Sequence, residues 1–321
     1  MRTFHRLLLC LVAVSCTGTA VAQAQFPVKP IRLVVPWPPG GAVDTIGRLV
    51  AQHIAEPLGQ PVIVDNRGGA AGAIGSDLVA RAPADGYTLL MGSTSVISIN
   101  PALQPLPYKP TDFAPITMVA FVPHVLVIPA EIPVNNLREF VEHVKARPNQ
   151  LNYGSAGQGT PHHIAAEMFK AAAGVTLLQV PFKGTAPALQ DLLANRVQFM
   201  SVELVSALPH IQSGRLKALG VATPARNPMA PKIPTVAEAG IPGFDVTAWY
   251  GVVAPAGVPP AAAERLASAT SKALTLPDFR DRLAAMGATP VGGTPAEFGK
   301  ILERENASWS KAIKNAGIRL D

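Results

Sequence analysis

Cysteine is nearly absent from this chain: the only two, Cys10 and Cys16, lie within the first 16 residues. The rest of the chain therefore has no disulfide framework, cysteine nucleophile, thiolate metal site or redox centre. No block of five or more like charges occurs, and basic residues are not interleaved with aromatic ones, which make up 6% of the chain. This pattern excludes the surface typical of nucleic-acid-binding proteins, so we expect no nucleic-acid partner.

Long apolar runs are also missing, except at the N-terminus. Arg2 and Arg6 precede the apolar run 7–14, and Ala22-Gln23-Ala24 supplies the small-x-small pattern that signal peptidase requires. The run is shorter than the roughly 20 residues of a membrane anchor. We therefore predict that residues 1–24 are a signal peptide cleaved after Ala24, and that the protein is periplasmic. A lipid anchor on Cys16 is a minor alternative.

The predicted mature chain is long enough to form one large domain or two of ordinary size. It carries 25 basic and 21 acidic residues, dispersed along the chain. This balance is typical of a mildly basic soluble surface, and it leaves room for a weak preference for an anionic ligand.

Strands and helices alternate along the sequence, which indicates an α/β fold. A first series runs from a buried strand at 31–35 to a strand at 87–91, and a second occupies residues 137–221. A helical tail follows residue 254, and we expect it to pack on the first lobe. We predict two lobes with a ligand cleft between them, each a sheet flanked by helices. Residues 25–123 plus 250–321 form lobe 1 and residues 124–249 form lobe 2.

The first candidate binding loop spans residues 36–44 and joins a strand to a helix. Gly40 and Gly41 allow close backbone approach, and Asp44 suits the helix N-cap. Free N–H groups at such a helix start bind carboxylate or phosphate. An ordinary tight turn with a capping Asp remains an alternative.

The second candidate loop, residues 153–163, has the same anatomy in the second lobe. Thr160 is the expected helix cap, and Pro161 fits the first helical turn. His163 and Glu167 provide two metal ligands, fewer than a zinc site needs, so we expect no metal site and a His163 that hydrogen-bonds the loop. Two helix starts facing one cleft would hold an anion from both sides.

A third loop, residues 180–187, again leads from a strand to a helix. Lys183 either attracts an anion or is merely solvated. Ser93 follows the third strand and supplies a hydroxyl at the matching edge of the first lobe. No Gly-x-Ser-x-Gly elbow or paired-carboxylate signature is present, which favours a binding protein over an enzyme.

Several segments in this order resemble one family, the extracytoplasmic solute receptors of tripartite tricarboxylate transporters, also called Bug-type binding proteins. The segments that carry the resemblance are 26–32 with 36–44, 58–62 with 65–67, 84–90, 157–163, 182–184 with 187–188, 234–240 and 249–251. The resemblance implies a type II periplasmic-binding-protein fold that closes around a small carboxylate.

The resemblance also implies which residues contact the ligand. One jaw of the cleft carries Trp37, Gly40, Gly41 and Asp44; the other carries Ser155, Ala156, Gly159, Thr160 and His163, with Lys183, Gly184 and Thr185 nearby. Trp37 replaces the usual Phe and Thr160 a common Ser, and either change could alter which solute fits.

The sequence therefore predicts a periplasmic receptor without cofactor or enzymatic activity. It would bind a di- or tricarboxylate, an amino acid or an aromatic acid and deliver it to membrane transporter subunits. We expect a monomer. A sensory protein that docks on a membrane signalling partner is the alternative, and an exported hydrolase using Ser155 is a weaker one.

Overall fold

The computed structural model describes residues 26–315 and residue 318. The predicted signal peptide, its cleavage site and Cys16 lie outside these residues. The strands are β1 Ile31–Val35, β2 Val62–Asn66, β3 Thr88–Ser93, β4 Phe113–Pro129, β5 Asn152–Ser155, β6 Leu178–Pro181, β7 Met200–Glu203, β8 Leu216–Val221, β9 Thr247–Pro255 and β10 Thr289–Gly292. The α-helices are α1 Ala42–Leu58, α2 Ala73–Ala80, α3 Asn100–Leu103, α4 Leu137–Lys145, α5 Pro161–Ala173, α6 Thr185–Leu193, α7 Leu204–Gln212, α8 Pro260–Thr275, α9 Pro277–Ala285 and α10 Pro295–Asn315.

The first lobe is built on a mixed sheet with the strand order β2-β1-β3-β9-β4-β10. β1 pairs in parallel with β2 and β3, whereas β9 pairs antiparallel with β3 and β4. Ile31, Leu33, Val34 and Val35 on β1 are fully buried, as expected for a central strand covered on both faces. Within the described residues, no helix has the length and apolar character needed to cross a membrane.

Strand β4 continues from the first lobe into the second. As far as Pro123 it pairs with β9, and from His124 onward it pairs with β7 and β8. The segment that leads into β9 contacts β4 at this point, because the His124 N–H donates a hydrogen bond to the Val246 carbonyl at 3.1 Å. The parallel pair β5 and β6 extends the second lobe through a bridge between Tyr153 and Phe199. The lobes are thus joined by adjacent strands that can act as a hinge.

Helix α10 contacts the cores of both lobes. Phe298 near its start is fully buried against Trp249, with ring centroids 5.6 Å apart. Trp309 and Ile313 near its end pack in the second-lobe core with Leu126. The tail therefore packs on the first lobe, as predicted, but its last turns also reach the second.

The strands predicted at 31–35 and 87–91 correspond to β1 and β3, and the second series ends at residue 221, where β8 ends. Three helices, α3, α7 and α9, and strand β10 were not predicted. Helix α7 contains Pro209, a residue that usually ends helices, and α9 and β10 are only nine and four residues long. Short elements of this kind owe their stability to tertiary packing rather than to local sequence.

Candidate functional site

A cavity lies between the two lobes, and interfaces between domains are a preferred place for small-molecule sites. One wall is formed by first-lobe residues 37–39, 41–43, 93–95 and Tyr250, with Ala248 of β9 beside them. Segments 160–162 and 184–187, with Ala156 and Glu203, form the wall in the second lobe. The cavity thus lies where the resemblance places the ligand.

Three helices begin at this cavity. The first residues of α1, α5 and α6 all line it, and the first N–H groups of a helix have no partner within the helix. Pro161 and Pro187 have no N–H and the His163 N–H is bound by Thr160, so the donors come from the other first-turn residues. These donors and the positive ends of the helix dipoles favour a bound anion. No Lys or Arg of the described chain lines the cavity. An anion would therefore be held by backbone and neutral donors rather than by a salt bridge.

Three buried side-chain polar atoms in the cavity wall also lack a hydrogen-bond partner among the described residues. They are the donors Trp37 Nε1 and Ser93 Oγ, together with His162 Nδ1, whose role depends on the tautomer of the ring, and none of these side chains is more than 8% exposed. Buried polar groups are almost always hydrogen-bonded, so such donors point to a ligand with acceptor oxygens. Trp37 and Ser93 were predicted from the sequence, whereas His162 was not.

Asp44 supports the first loop from behind the cavity. Its carboxylate accepts hydrogen bonds from the Gly40 N–H at 3.0 Å, Arg48 Nε at 3.1 Å and Asn66 Nδ2 at 2.9 Å. The prediction that Asp44 is the helix N-cap was wrong: α1 begins at Ala42 and Gly41 occupies the cap position. Asp44 instead reaches back to fix Gly40, whose φ of 91° suits glycine.

Replacement of Asp44 with Asn should destabilise the protein by about 1–3 kcal/mol at pH 7, because hydrogen bonds to a charged acceptor are weakened. Burial alone would raise the pKa of Asp44, but the hydrogen bonds from Arg48, Gly40 and Asn66 lower it below its usual value. A lowered pKa contributes stability above the unfolded-state pKa of about 3.9, and this contribution disappears as the pH falls below that value. Denaturant unfolding at pH 7 and at about pH 3 measures the difference.

Asp77→Asn is the matched control, because Asp77 makes the same i,i+4 pair with Arg81 on a more exposed helix. Surface pairs of this kind contribute about 0–1 kcal/mol. If the two variants lose the same stability, or if the Asp44→Asn deficit persists undiminished at low pH, the structural role given to Asp44 is wrong.

The second loop is organised around the start of α5. Thr160 Oγ1 accepts from the His163 N–H at 3.4 Å and donates to the Gly157 carbonyl at 2.7 Å, which confirms the predicted cap. His163 Nδ1 accepts from the Gly159 N–H at 3.3 Å, so His163 holds the loop as expected. Burial lowers the pKa of His163, which keeps its ring neutral.

Ser155 is fully buried, and its hydroxyl accepts from Gln179 Nε2 at 2.9 Å and from the Gly157 N–H at 3.4 Å. These partners make Ser155 part of the loop framework and give it no histidine base. The arrangement does not resemble the activated nucleophile of a hydrolase.

The two jaws are in contact across the mouth of the cavity. A Cβ atom on Gly41 would lie 3.6 Å from the Thr185 Cβ, and one on Gly184 would lie 3.3 Å from the Pro38 Cδ. Such distances mean that the structure shows a closed cleft. Lys183 is exposed and lines an outer groove with Phe182 instead of the cavity.

The predicted site residues therefore fall into two groups. Those that line the cavity are Trp37, Gly41, Ser93, Ala156, Thr160, Gly184 and Thr185. Gly40, Asp44, Ser155, Gly159 and His163 hold the loops from outside the cavity, and Lys183 lies apart.

Sequence reasoning missed a polar cluster in the cavity wall. Glu203 Oε2 lies 2.9 Å from His162 Nε2, and Tyr250 donates its hydroxyl to Glu203 Oε1 at 3.1 Å. His124 lies beside this pair, its ring centroid 5.1 Å from that of His162.

Burial lowers the pKa of His124 to about 3, so its ring is neutral at physiological pH. For Glu203, burial alone would raise the pKa, but the neighbouring histidines lower it, so the carboxylate is ionised.

Comparison with known proteins identifies related sequences. Residues 46–318 match the family model of the tripartite tricarboxylate transporter family receptor, TctC. A UPF0065 protein in the tcbD-tcbE intergenic region of Pseudomonas sp. strain P51 is 41% identical, covering 96% of this chain and 94% of its own length. Protein BugT of Bordetella pertussis is 35% identical and covers 96% of each chain.

Solved structures with the same fold include two with bound carboxylates. Rpa4515 of R. palustris, determined with adipate, has a TM-score of 0.89 and 35% identity, covering 92% of this chain and 99% of its own. MatC of Rhodopseudomonas palustris, with bound malate, has a TM-score of 0.86 and 35% identity, and the match covers 90% of this chain and 100% of MatC. These similarities confirm the two-lobed periplasmic-binding-protein fold.

Proposed function

Because the chain belongs to the family of tripartite tricarboxylate transporter receptors, a family of solute-binding proteins, we propose that it binds a small organic acid in the interlobe cavity. The three converging helix starts carry this proposal, since they supply N–H donors from both lobes. No Lys or Arg of the described residues lines the cavity, so these donors are the main attraction for an anion. The buried donors Trp37 Nε1 and Ser93 Oγ add to it. Dicarboxylates are the first class to test, because two relatives have adipate and malate bound.

The proposed mechanism is closure of the two lobes around the ligand. The lobes are residues 25–123 plus 250–321 and residues 124–249, and the strand crossing at His124 provides the hinge. Closure removes water from the helix starts and so strengthens their interaction with a carboxylate. In the closed state, the receptor would deliver the acid to the membrane subunits of a tripartite tricarboxylate-type transporter.

We further propose that the protein acts in the periplasm as a monomer, after removal of residues 1–24. The intact mass of the exported protein checks this processing, because cleavage after Ala24 and lipidation at Cys16 give different masses. Size-exclusion chromatography with light scattering checks the monomer.

Dicarboxylates should raise the melting temperature of the purified protein. A ligand at 100 times its Kd stabilises the folded state by about 2.7 kcal/mol, which corresponds to roughly 4 °C for a protein of this size. Thermal melting with malate, adipate, tricarboxylates, amino acids and aromatic acids measures the effect. Each ligand is tested with and without added Zn²⁺, because the buried polar cluster in the cavity wall contains metal-binding side chains. The matched amides or alcohols should give no shift. The proposal fails if no carboxylate shifts the melting temperature under either condition.

A further inference from the structure

The polar cluster in the cavity wall has the composition of a metal site. His124, His162 and Glu203 are all buried, and each offers one ligand atom such that the three atoms lie within 4.8 Å of one another. His124 on β4 lies directly opposite Glu203 on β7 in the antiparallel pair, and His162 is the second residue of α5. The site is therefore built on a strand pair and a helix start rather than on mobile loops.

Neighbouring hydroxyls orient two of these side chains. Ser201 Oγ lies 3.0 Å from His124 Nδ1, and the Tyr250 hydroxyl holds Glu203 Oε1 at 3.1 Å. Among the described residues, His124 Nε2 and Glu203 Oε2 are then without a hydrogen bond of good geometry. His162 Nε2 lies 2.9 Å from Glu203 Oε2 and 3.2 Å from the Thr185 hydroxyl, contacts that a metal ion on this atom would replace. Metal-binding histidines and carboxylates are typically oriented in this way by a hydrogen bond on the atom that does not contact the metal.

The charge of the cavity provides a second argument. Glu203 places a carboxylate at a site where three helix starts otherwise favour an anion. A divalent cation on two neutral histidines and this carboxylate would give the cluster a net charge of +1, which attracts a second carboxylate. Two histidines and one glutamate leave the fourth position of a tetrahedral Zn²⁺ open. His162 and Glu203 both line the cavity, so that position faces the cleft, which also provides the entry path.

We propose that His124, His162 and Glu203 bind one Zn²⁺-like divalent cation whose open coordination position faces the ligand cleft. Imidazole nitrogen and carboxylate oxygen suit Zn²⁺ and Co²⁺ better than Ca²⁺ or Mg²⁺, which prefer oxygen ligands. This site differs from the His163 and Glu167 pair considered in the sequence analysis. Those two side chains are engaged elsewhere: His163 with the Gly159 N–H, and Glu167 with Tyr153 and Lys170.

Metal binding is tested without any organic acid. Chelator-treated protein is titrated with Zn²⁺ by calorimetry and with Co²⁺ by visible absorption. The proposal expects one equivalent of each metal and the intense visible bands of tetrahedral Co²⁺. If the wild-type protein shows no saturable 1:1 metal binding, the proposed metal site is wrong. His162 and Glu203 are then only a hydrogen-bonded pair.

Variants locate the metal. His162→Ala and Glu203→Gln each remove one of three ligands and should weaken binding at least about 100-fold, beyond the 10–100-fold typical of lost outer-shell contacts. His143→Ala and His210→Ala, on helices α4 and α7, are the matched controls and should bind metal like the wild type. Circular dichroism confirms the fold of each variant. Equal affinities of the cluster variants and controls overturn the assignment.

A further role of the metal rests on the proposed carboxylate function. If the ligand's carboxylate occupies the fourth position, Zn²⁺ should tighten binding of the effective dicarboxylate at least about 10-fold relative to chelator-treated protein. A 1:1 metal site with unchanged carboxylate affinity overturns this role and leaves the metal site standing. If metal binds and no carboxylate does, the proposed function fails independently of the metal site.

Discussion

Replacement of Ala186 with Trp should lower the affinity for the effective dicarboxylate by at least about 100-fold, or roughly 2.7 kcal/mol. Ala186 lies in the first turn of α6 and lines the cavity, and its Cβ is 3.6 Å from the position of a Cβ on Gly40. An indole at this point fills the gap between the jaws. The lobes then cannot close, and a ligand held by one lobe loses the donors of the other.

The measurement is calorimetric titration of the variant, with its melting temperature in the absence of ligand as a check on folding. Ala172→Trp is the matched control, because Ala172 is exposed on α5 and is not part of the cavity wall. The control should bind the ligand like the wild type. If Ala186→Trp binds as tightly as the control, the ligand does not occupy the interlobe cavity.

The binding loops were predictable because their local sequence determines them. Glycine and proline mark the points where a strand ends and a helix begins, and Thr160 followed by Pro161 specifies the start of α5. A buried strand such as β1 is visible as a short β-branched run. These features depend on neighbouring residues, so the elements that form the cleft could be derived without coordinates.

The role of Asp44 shows a limit of local reasoning. The sequence suggested a cap, but the cap lies three residues earlier, at Gly41, and the carboxylate is used to fix Gly40 and to pair with Arg48 and Asn66. Asn66 comes from β2, and its proximity depends on the pairing of β1 with β2. A boundary error of three residues was enough to change the assigned role.

The polar cluster shows a second limit. His124, His162 and Glu203 lie tens of residues apart, on two strands and a helix, and no spacing in the sequence connects them. His124 occurs in an apolar run and Glu203 at the end of a strand, where a single polar residue carries little information. The pairing of β4 with β7 brings His124 and Glu203 together, and the packing of α5 against β7 adds His162.

Phe298→Ala should destabilise the protein by about 3–5 kcal/mol, a large part of the 5–15 kcal/mol typical of folded domains. Phe298 is fully buried between α10 and the first-lobe sheet and packs edge-on against Trp249. Loss of the ring leaves a cavity where α10 joins the first lobe. Denaturant unfolding measures the cost.

Gly251 leaves the space on β9 that the Phe298 ring occupies. A Cβ on Gly251 would overlap the Phe298 ring, with its Cε1 atom 2.7 Å away, and would lie 3.0 Å from the Thr117 carbonyl oxygen. Gly251→Ala should therefore cost about 1–3 kcal/mol through overpacking. In the Phe298→Ala background the same substitution should cost at least about 1 kcal/mol less, because the space is no longer filled.

Gly299→Ala is the matched control for this cycle. A Cβ on Gly299 would meet only the Pro115 Cγ at 3.7 Å, an ordinary contact, and alanine favours a helix over glycine by about 1 kcal/mol. This variant should be neutral or slightly stabilising. Strict additivity of Gly251→Ala and Phe298→Ala would contradict the direct contact, because side chains that compete for one space must show a coupling energy.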